Sequence, residues 1–165
     1  MSKEPLVSVC IITYNSSEFI IEALDSIAAQ TYDNIELIIS DDASTDNTVE
    51  LCRDWMATNE QRFSCSELIV VKENTGVSAN CNRAIRNSSG FYIKLFAGDD
   101  NLLPNCIEDN VTYMILHPET DLLFSDEKII GKNENGEHIS SKLVYFKHLN
   151  KVEFKTHLLV RNFLP

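Results

Sequence analysis

Short apolar runs alternate with amphipathic segments along most of the chain, and this alternation restricts the possible folds more than any other feature. The runs are rich in isoleucine and valine and are mostly apolar on both alternating faces, which is typical of parallel strands buried on both sides. The pattern therefore predicts parallel strands at 6–14, 35–40, 67–72, 91–96 and 121–125.

Between these runs, apolar residues recur at the spacing of one helix face. The fourth helix is expected to have Pro104 as its first helical residue. Strands joined by crossover helices favour an α/β domain with a mostly parallel, Rossmann-like sheet that is flanked by helices on both faces. The four apolar stripes are Phe19, Ile20, Ala23, Leu24, Ile27 and Ala28; Val49, Cys52, Trp55 and Met56; Val77, Cys81, Ala84 and Ile85; and Ile107, Val111, Met114 and Ile115.

The alternation stops after the fifth run. Residues 133–136 are typical of a turn between two extended segments, which suggests a hairpin. The residues from 143 onward contain no clear closing element. We therefore expect residues 1–165 to form a single domain that is a fragment of a longer protein.

Charge and composition exclude several classes of protein. The chain has 14 Lys and Arg residues against 25 Asp and Glu residues, and its formal net charge of -11 argues against binding to a nucleic-acid backbone. No apolar run is as long as the roughly 18 residues that a membrane-spanning helix needs. The N-terminus also lacks the apolar segment of a signal peptide, so we expect a cytoplasmic location.

Neither the cysteines nor the histidines have metal-binding or redox spacing. We expect the cysteines to be reduced, with Cys65 in a loop and the other four in the core. We expect the histidines to be structural or solvated, because none follows a predicted strand. The cysteines are Cys10, Cys52, Cys65, Cys81 and Cys106, and the histidines are His117, His138, His148 and His157.

Polar side chains follow each of the first four predicted strands. In an open parallel sheet, ligands bind outside the carboxyl ends of the strands, so these residues are candidates for a site. Thr45 and Asp46 are expected to cap the next helix, whereas Asp41 and Asp42 lie further upstream and are candidates for ligand binding. The set is Thr13, Tyr14 and Asn15; Asp41, Asp42, Ser44 and Thr45; Asn74, Thr75 and Gly76; and Asp99 and Asp100.

Asp99 and Asp100 are adjacent carboxylates at the end of a predicted buried strand. Like charges this close repel each other unless a cation lies between them. One interpretation is a solvated turn before the fourth helix. The other, which we favour, is a site for magnesium or manganese, which bind carboxylate oxygens and complete their coordination with waters and substrate phosphates.

Two long stretches carry a resemblance to a known family. They are VSVCIITYNSSEFIIEALDSIAAQTYDNIELIISDDASTDNT and NTGVSANCNRAIRNSSGFYIKLFAGDD. In order and spacing, residues 5 to about 130 resemble the family 2 glycosyltransferases, whose nucleotide-sugar-binding part has the GT-A fold.

The resemblance implies an inverting transfer of a sugar from a nucleoside diphosphate donor, most commonly a uridine diphosphate sugar, to an acceptor hydroxyl. A divalent metal, manganese or magnesium, would bridge the diphosphate. The acceptor would be a saccharide or a lipid-linked saccharide in cell-surface polysaccharide synthesis. Parts of the protein beyond this chain would allow peripheral association with the inner face of the membrane.

The resemblance also assigns roles by position. Asp42 would accept a hydrogen bond from the base, and Asp41 would support the same loop. Asp99 and Asp100 would be the acidic motif that contacts the metal and the ribose. The residues that would border the nucleotide are Thr13, Tyr14, Asn15, Asp41, Asp42, Gly76, Ser78, Asn82 and Asp99.

The chain departs from the family pattern at several positions. Ile12 replaces a common proline, Cys81 replaces a common arginine, and Ala97 replaces a common aspartate, so the ribose contact is missing or passes to Asp99. The general base must reach the proton that it removes, and the family supplies it from a motif expected beyond residue 165. Asp126 and Glu127 are candidates only for lining the site.

Two other classes of protein share an acidic parallel sheet. A phosphoacceptor receiver domain would carry its acidic pair after the first strand and a lysine after the fifth, whereas this first strand ends in TYN; Lys128 is the only match. A sugar nucleotidyltransferase would have a glycine-rich loop with a basic residue after the first strand. The corresponding segment, TYNSSEF, has neither.

Overall fold

A computed structural model describes residues 4–125 and the backbone of 159–161. Strands and helices alternate four times, as the apolar pattern predicts, and a 3-10 turn at Glu60–Arg62 precedes the third strand. The strands are β1 (Val7–Thr13), β2 (Ile35–Asp41), β3 (Cys65–Val70), β4 (Tyr92–Ala97), β5 (Leu122–Leu123) and β6 (Leu159–Arg161). The helices are α1 (Ile20–Ala28), α2 (Thr48–Asn59), α3 (Val77–Arg86) and α4 (Cys106–Leu116).

The described strands form one sheet in the order β3-β2-β1-β4-β6-β5. The first four pair in parallel, which confirms the predicted α/β sheet. The fifth strand differs from the prediction, since β5 has only two residues and pairs antiparallel with β6. The strand β6 lies between β4 and β5 and pairs antiparallel with both. As a result β5 runs in the same direction as β4 but does not pair with it.

The register of the parallel strands aligns their carboxyl ends. Thr13 at the end of β1 pairs with Asp41 at the end of β2, and Asp41 in turn pairs with Val70. On the other side of β1, Ile12 pairs with Ala97 at the end of β4. The loops that follow these four strands therefore leave from one edge of the sheet.

Helices cover both faces of the sheet, as the sequence predicts. On one face, α1, α2 and α4 pack against alternate residues of β1, β2 and β4, and fully buried Ile11, Leu24 and Leu37 belong to this core. On the opposite face, α3 packs through Ala84 against a smaller cluster that includes Ile38. Burial of this apolar surface is the main source of stability for such a sandwich.

Three local predictions are wrong. Pro104 lies in a turn and α4 begins at Cys106, because the Pro104 carbonyl accepts a hydrogen bond of 2.8 Å from the amide of Thr31 in the loop after α1. The strand β3 is at an edge of the sheet and is partly exposed rather than buried on both sides. Three members of the predicted apolar stripes are exposed, since Phe19, Val77 and Ile115 lie at or next to the ends of their helices and are 45%, 71% and 56% accessible.

All five cysteines are free, as predicted, but their positions differ in part. Cys65 is the exposed first residue of β3 rather than part of a loop. Cys10 and Cys52 are buried in the core, and burial raises the pKa of each thiol to about 12. Cys81 and Cys106 are only half-buried.

Several predicted features lie outside the described residues. They are the hairpin at 133–136, Asp126, Glu127, Lys128 and the histidines His138, His148 and His157. His117 is described, and its partly exposed ring lies 3.5 Å from the carboxylate of Glu119. Within the described part of the chain, no helix combines the length and apolarity that crossing a membrane requires.

Candidate functional site

The ends of β1 and β2 are joined by a buried hydrogen bond. Thr13 Oγ1 donates to Asp41 Oδ2 at 2.8 Å, and both residues are almost inaccessible to solvent. Asp41 also accepts from the amide and the hydroxyl of Ser44, at 2.8 and 2.5 Å. Its carboxylate therefore fixes the shape of the loop that follows β2.

The loops after β1 and β2 are held together by reciprocal contacts. The backbone amide of Asn15 donates to Ser44 Oγ at 2.8 Å, and the backbone amide of Thr45 donates to the side-chain Oδ1 of Asn15 at 2.8 Å. Asn15 and Ala43 both have left-handed backbones, with φ of 52° and 67°. Tyr14 lies between these contacts and is 49% exposed, so its side chain is available at the edge of the sheet.

Asp42 links the loop after β2 to the loop after β3. Its Oδ2 accepts from the amides of Thr75 and Gly76 at 2.8 and 2.7 Å, and its Oδ1 accepts from Thr75 Oγ1 at 2.6 Å and Arg83 Nη2 at 3.1 Å. The residue is 2% exposed. A nucleobase that donates to this carboxylate would have to replace one of these donors.

The pKa of Asp42 reflects two opposing effects. Burial raises the pKa of this carboxyl, but the hydrogen bonds from Thr75, Arg83 and Gly76 outweigh burial and lower the pKa below its ordinary value of 3.8. Asp42 is therefore ionised at neutral pH and forms an ion pair with Arg83 inside the domain.

The turn before α3 contributes a second wall to the edge. Gly76 precedes the helix with φ of 87°, a conformation that glycine adopts without strain. Ser78 and Asn82 are exposed one helical turn apart, so both face the same side of α3. Between them, Asn80 is buried and donates to the carbonyl of Thr13 at 3.2 Å, which ties α3 to the end of β1.

The acidic turn after β4 lies against the end of β1. The Gly98 amide donates to the Ile12 carbonyl at 2.9 Å, and the Asp100 amide closes the turn on the Ala97 carbonyl at 3.2 Å. A Cβ on Gly98 would lie only 2.9 Å from Thr13 Cγ2, so glycine permits this close approach. Asp99 is exposed and Asp100 is half-buried.

The loop after β2 also contains the cap of α2. Asp46 accepts from the amide of Thr48, the first residue of α2, at 3.0 Å and from the amide of Ser17 at 3.1 Å, whereas the N-cap position itself is Asn47, whose side chain makes no capping hydrogen bond. Burial raises the pKa of Asp46, but the hydrogen bonds from Thr48 and Ser17 outweigh it and lower the pKa to about 2. Thr45 does not cap the helix, because its amide and hydroxyl donate to Asn15 instead.

The carboxylates at this edge fall into two groups. Asp41, Asp42 and Asp46 are engaged by protein donors. The carboxylates of Asp99 and Asp100, in contrast, accept no hydrogen bond from any residue that the structure describes. Among the described carboxylates at this edge, theirs are thus the oxygens left available to an external cation.

This acidic turn fits a metal that is shared with a substrate. Residues 4–125 contain no cluster of three or more His, Cys, Asp or Glu that could hold a metal alone. Magnesium and manganese commonly take only one or two carboxylates and complete an octahedron with waters and phosphate oxygens. Two adjacent, unengaged carboxylates provide that partial set of ligands.

Arg83 and Asn80 both organise the edge, although the sequence pattern does not single them out. Arg83 on α3 contacts Asp42, Thr75, Ser40 and Asn80. One signal was available, because Arg83 is a basic residue two turns into a helix that begins at the site, in a chain with a large negative charge. Neither the helical stripe nor the motif spacing distinguishes it from a solvated arginine.

Two solved structures share this fold. The mannosyltransferase PcManGT from Pyrobaculum calidifontis, solved with GDP-Man and Mn2+, matches with a TM-score of 0.67 and 26% identity over 80% of this chain and 37% of its own. S. aureus TarS 1-349 matches with a TM-score of 0.65 and 24% identity over 82% of this chain and 38% of its own. The described domain therefore has the GT-A fold.

The family follows from the sequence match. The model of "Glycosyl transferase family 2" matches residues 8–163, so this chain belongs to glycosyl transferase family 2. The putative glycosyltransferase EpsE of Bacillus subtilis is 35% identical over 117 residues, which is 71% of this chain and 41% of that protein. Chondroitin synthase of Escherichia coli is 34% identical over 109 residues, which is 66% of this chain and 15% of that protein.

Coverage of the relatives is partial. The chain spans less than half the length of EpsE, and 54% of the length of the glycosyltransferase MJ1057 from Methanocaldococcus jannaschii, to which it is 31% identical over 162 residues. Family membership favours sugar transfer over the receiver and nucleotidyltransferase alternatives.

Proposed function

We propose that the carboxyl edge of this sheet binds a nucleoside diphosphate sugar through a divalent cation, and that the whole protein transfers the sugar with inversion to an acceptor hydroxyl. The observation that carries the proposal is the division among the carboxylates. Asp41 and Asp42 build the loops, whereas Asp99 and Asp100 are left unengaged by described residues beside the end of β1. The related mannosyltransferase bound to GDP-Man and Mn2+ supports both the ligand class and the metal.

The nucleoside would lie on the β1, β2 and β3 side of the edge. Tyr14 offers an exposed ring for stacking, and Thr13 and Asn15 hold its loop in place. The Gly76 turn would border the nucleotide, together with the exposed Ser78 and Asn82, which lie on the side of α3 away from buried Asn80. Asp41 and Asp42 shape this wall from behind, since both are buried.

The diphosphate would lie on the β4 side. Asp99 and Asp100 would hold the metal, and Asp99, the more exposed of the two, also suits the ribose hydroxyls. When bound, such a metal acts as a Lewis acid that neutralises charge on the leaving diphosphate. A chain with a net charge of -11 otherwise repels a dianion, so these two carboxylates provide the attachment point for a compensating charge.

Inversion requires a base on the face of the sugar opposite the diphosphate. The described residues provide none at the edge with that placement, since Asp41, Asp42 and Asp46 are engaged and Asp99 and Asp100 belong to the proposed metal site. We propose that the base lies outside the described residues. Asp126 and Glu127 follow β5 in sequence and are proposed only to line the site.

The finer assignments form part of the same proposal. A uridine diphosphate sugar is the first donor to test, followed by a guanosine diphosphate sugar, because the related mannosyltransferase binds one. The acceptor would be a saccharide or a lipid-linked saccharide of the cell surface, used at the cytoplasmic face of the membrane. The similarity to a chondroitin synthase supports a saccharide acceptor.

Calorimetric titration tests the proposal. The chain is titrated with UDP, GDP, ADP and CDP and with UDP-glucose and GDP-mannose, each with manganese and with a chelator. We expect at least one nucleoside diphosphate to bind with manganese, and to bind at least about tenfold more weakly with the chelator. Equal affinity with and without metal, or no binding across the panel, would overturn the proposal.

A further inference from the structure

Arg83 contacts two of the loops on the nucleoside side of the edge, those after β2 and β3. From the middle of α3, Nη2 donates to Asp42 Oδ1 at 3.1 Å and to Thr75 Oγ1 at 2.7 Å. Nη1 donates to Ser40 Oγ at 3.2 Å and to Asn80 Oδ1 at 3.0 Å. One guanidinium therefore crosslinks the end of β2, the loop after β3 and α3 itself.

Asp42 is the centre of this crosslink and has no free acceptor position. A carboxylate has about four lone-pair sites, and Asp42 receives donors from Thr75 twice, from Gly76 and from Arg83. The side chain is 3% exposed and that of Arg83 is 16% exposed. This arrangement is suited to holding two loops together rather than to contacting a ligand directly.

The crosslink lies on one side of β1 and the acidic turn on the other. The sheet order places β2 and β3, with Asp42 and Thr75, on one side of β1, and places β4, with Asp99 and Asp100, on the other. A change confined to the crosslink should therefore act on the nucleoside part of a ligand and leave the metal and diphosphate part unchanged.

We propose that Arg83 is a positioning residue for nucleoside binding, which acts by holding the Asp42 loop and the Thr75–Gly76 turn at a fixed separation. The inference rests on the proposed function. Removing the guanidinium leaves the Asp42 charge buried without its counterion, and such an unpaired charge is strongly unfavourable. Asp42 would turn towards solvent, and the Gly76 turn that it holds through two amide hydrogen bonds would lose its anchor.

The test uses variants of the chain and two kinds of probe. Arg83→Met removes the charge and all four hydrogen bonds, whereas Arg83→Lys keeps the charge but loses the planar fork. Arg86→Met is the matched control, because Arg86 is exposed on the same helix three residues away. The probes are manganese with UDP or GDP, whichever binds the unsubstituted chain more tightly, and manganese with inorganic pyrophosphate.

We expect Arg83→Met to weaken nucleotide binding by about tenfold or more, while pyrophosphate affinity changes by less than about twofold. Arg83→Lys should recover part of the loss, and Arg86→Met should match the unsubstituted chain. Nucleotide affinity that is unchanged in Arg83→Met, or that falls equally for pyrophosphate, would overturn the inference.

Two further outcomes separate this inference from the proposed function. If the unsubstituted chain binds no nucleotide, the proposed function fails first and the inference fails with it. If Arg83→Met does not fold, as judged by circular dichroism, Arg83→Lys decides the matter. If Arg83→Lys weakens binding of the nucleotide alone by about threefold, the positioning role is supported. If Arg83→Lys causes no selective loss, the positioning role is contradicted.

Discussion

The hydroxyl of Thr13 donates to the buried carboxylate of Asp41 at 2.8 Å and so joins the carboxyl ends of β1 and β2. Thr13 also approaches the acidic turn so closely that its Cγ2 methyl leaves no room for a Cβ on Gly98. One small side chain thus contacts both sides of the proposed donor site. The shape of the edge and the stability of the domain are consequently linked, and both can be measured with the same variants.

Asp41→Asn should destabilise the domain by about 2 kcal/mol or more, because the amide group places donor hydrogens against the donors of Thr13 or Ser44. Urea denaturation followed by the fluorescence of Trp55 measures the free energy of unfolding. Asp54→Asn is the control, since Asp54 is exposed on α2, and it should change that free energy by less than about 0.5 kcal/mol. Equal effects of the two substitutions would contradict the assigned role of Asp41.

Ala43→Gly should stabilise the domain by about 1 kcal/mol. Ala43 has φ of 67°, a left-handed conformation that costs a residue with a Cβ more than it costs glycine. The control is Ala57→Gly at an exposed position inside α2, where loss of helix propensity should destabilise by a similar amount. Opposite shifts in thermal unfolding are expected, and destabilisation by both changes would contradict the strain at Ala43.

Asp46 should make stability depend on pH in the acidic range. Its pKa is about 2 in the folded chain against the ordinary value of 3.8, so its contribution is fully present above about pH 4 and is lost as pH falls towards 2. We expect Asp46→Asn to cost about 1 kcal/mol near pH 6 and progressively less below pH 4. A penalty that stays constant across this range would contradict the assignment.

Gly98→Ala should destabilise the domain by about 1 to 3 kcal/mol, because the new Cβ would lie 2.9 Å from Thr13 Cγ2. Thr13→Ser removes that methyl and keeps the hydroxyl that donates to Asp41. The double variant Thr13→Ser/Gly98→Ala should therefore be more stable than the sum of the two single effects predicts. Strict additivity in this double-mutant cycle would show that the two residues do not meet.

Replacing both Asp99 and Asp100 by asparagine should abolish manganese-dependent nucleotide binding and leave the fold intact. The two carboxylates accept no hydrogen bond within the described part of the chain, so their replacement removes no described contact. Asp54→Asn/Asp121→Asn removes the same number of charges from exposed positions away from this edge and is the matched control. Calorimetry measures the affinity, and affinity retained in Asp99→Asn/Asp100→Asn would refute the metal site.

Much of the fold could be predicted from periodicity. The ends of the first four strands were predicted to within two residues, because runs of isoleucine and valine between helical stripes have few alternative structures. The position of β6 could not be predicted, since Leu159–Arg161 inserts beside β4 by a pairing that is distant in sequence. Local patterns do not specify such a long-range pairing.

The site could be predicted only as a set of residues. Strand ends identified which carboxylates meet at the edge, but not which of them are engaged by the protein. That division depends on donors from other loops, such as Thr75 and Arg83 for Asp42, and hydrogen bonds between loops leave no periodic signal. Asp42 and Asp99 are both aspartates that follow strand ends, and only the structure shows that the first is engaged by protein donors and the second is not.

Asp99 and Asp100 are proposed to hold a cation that is shared with a nucleoside diphosphate, and anomalous scattering from crystals grown with manganese and the tightest-binding nucleotide would locate that cation. We expect a manganese peak within coordination distance of an oxygen of Asp99 or Asp100 and of a phosphate oxygen. A nucleotide bound without that peak, with both side chains turned into bulk solvent, would contradict it.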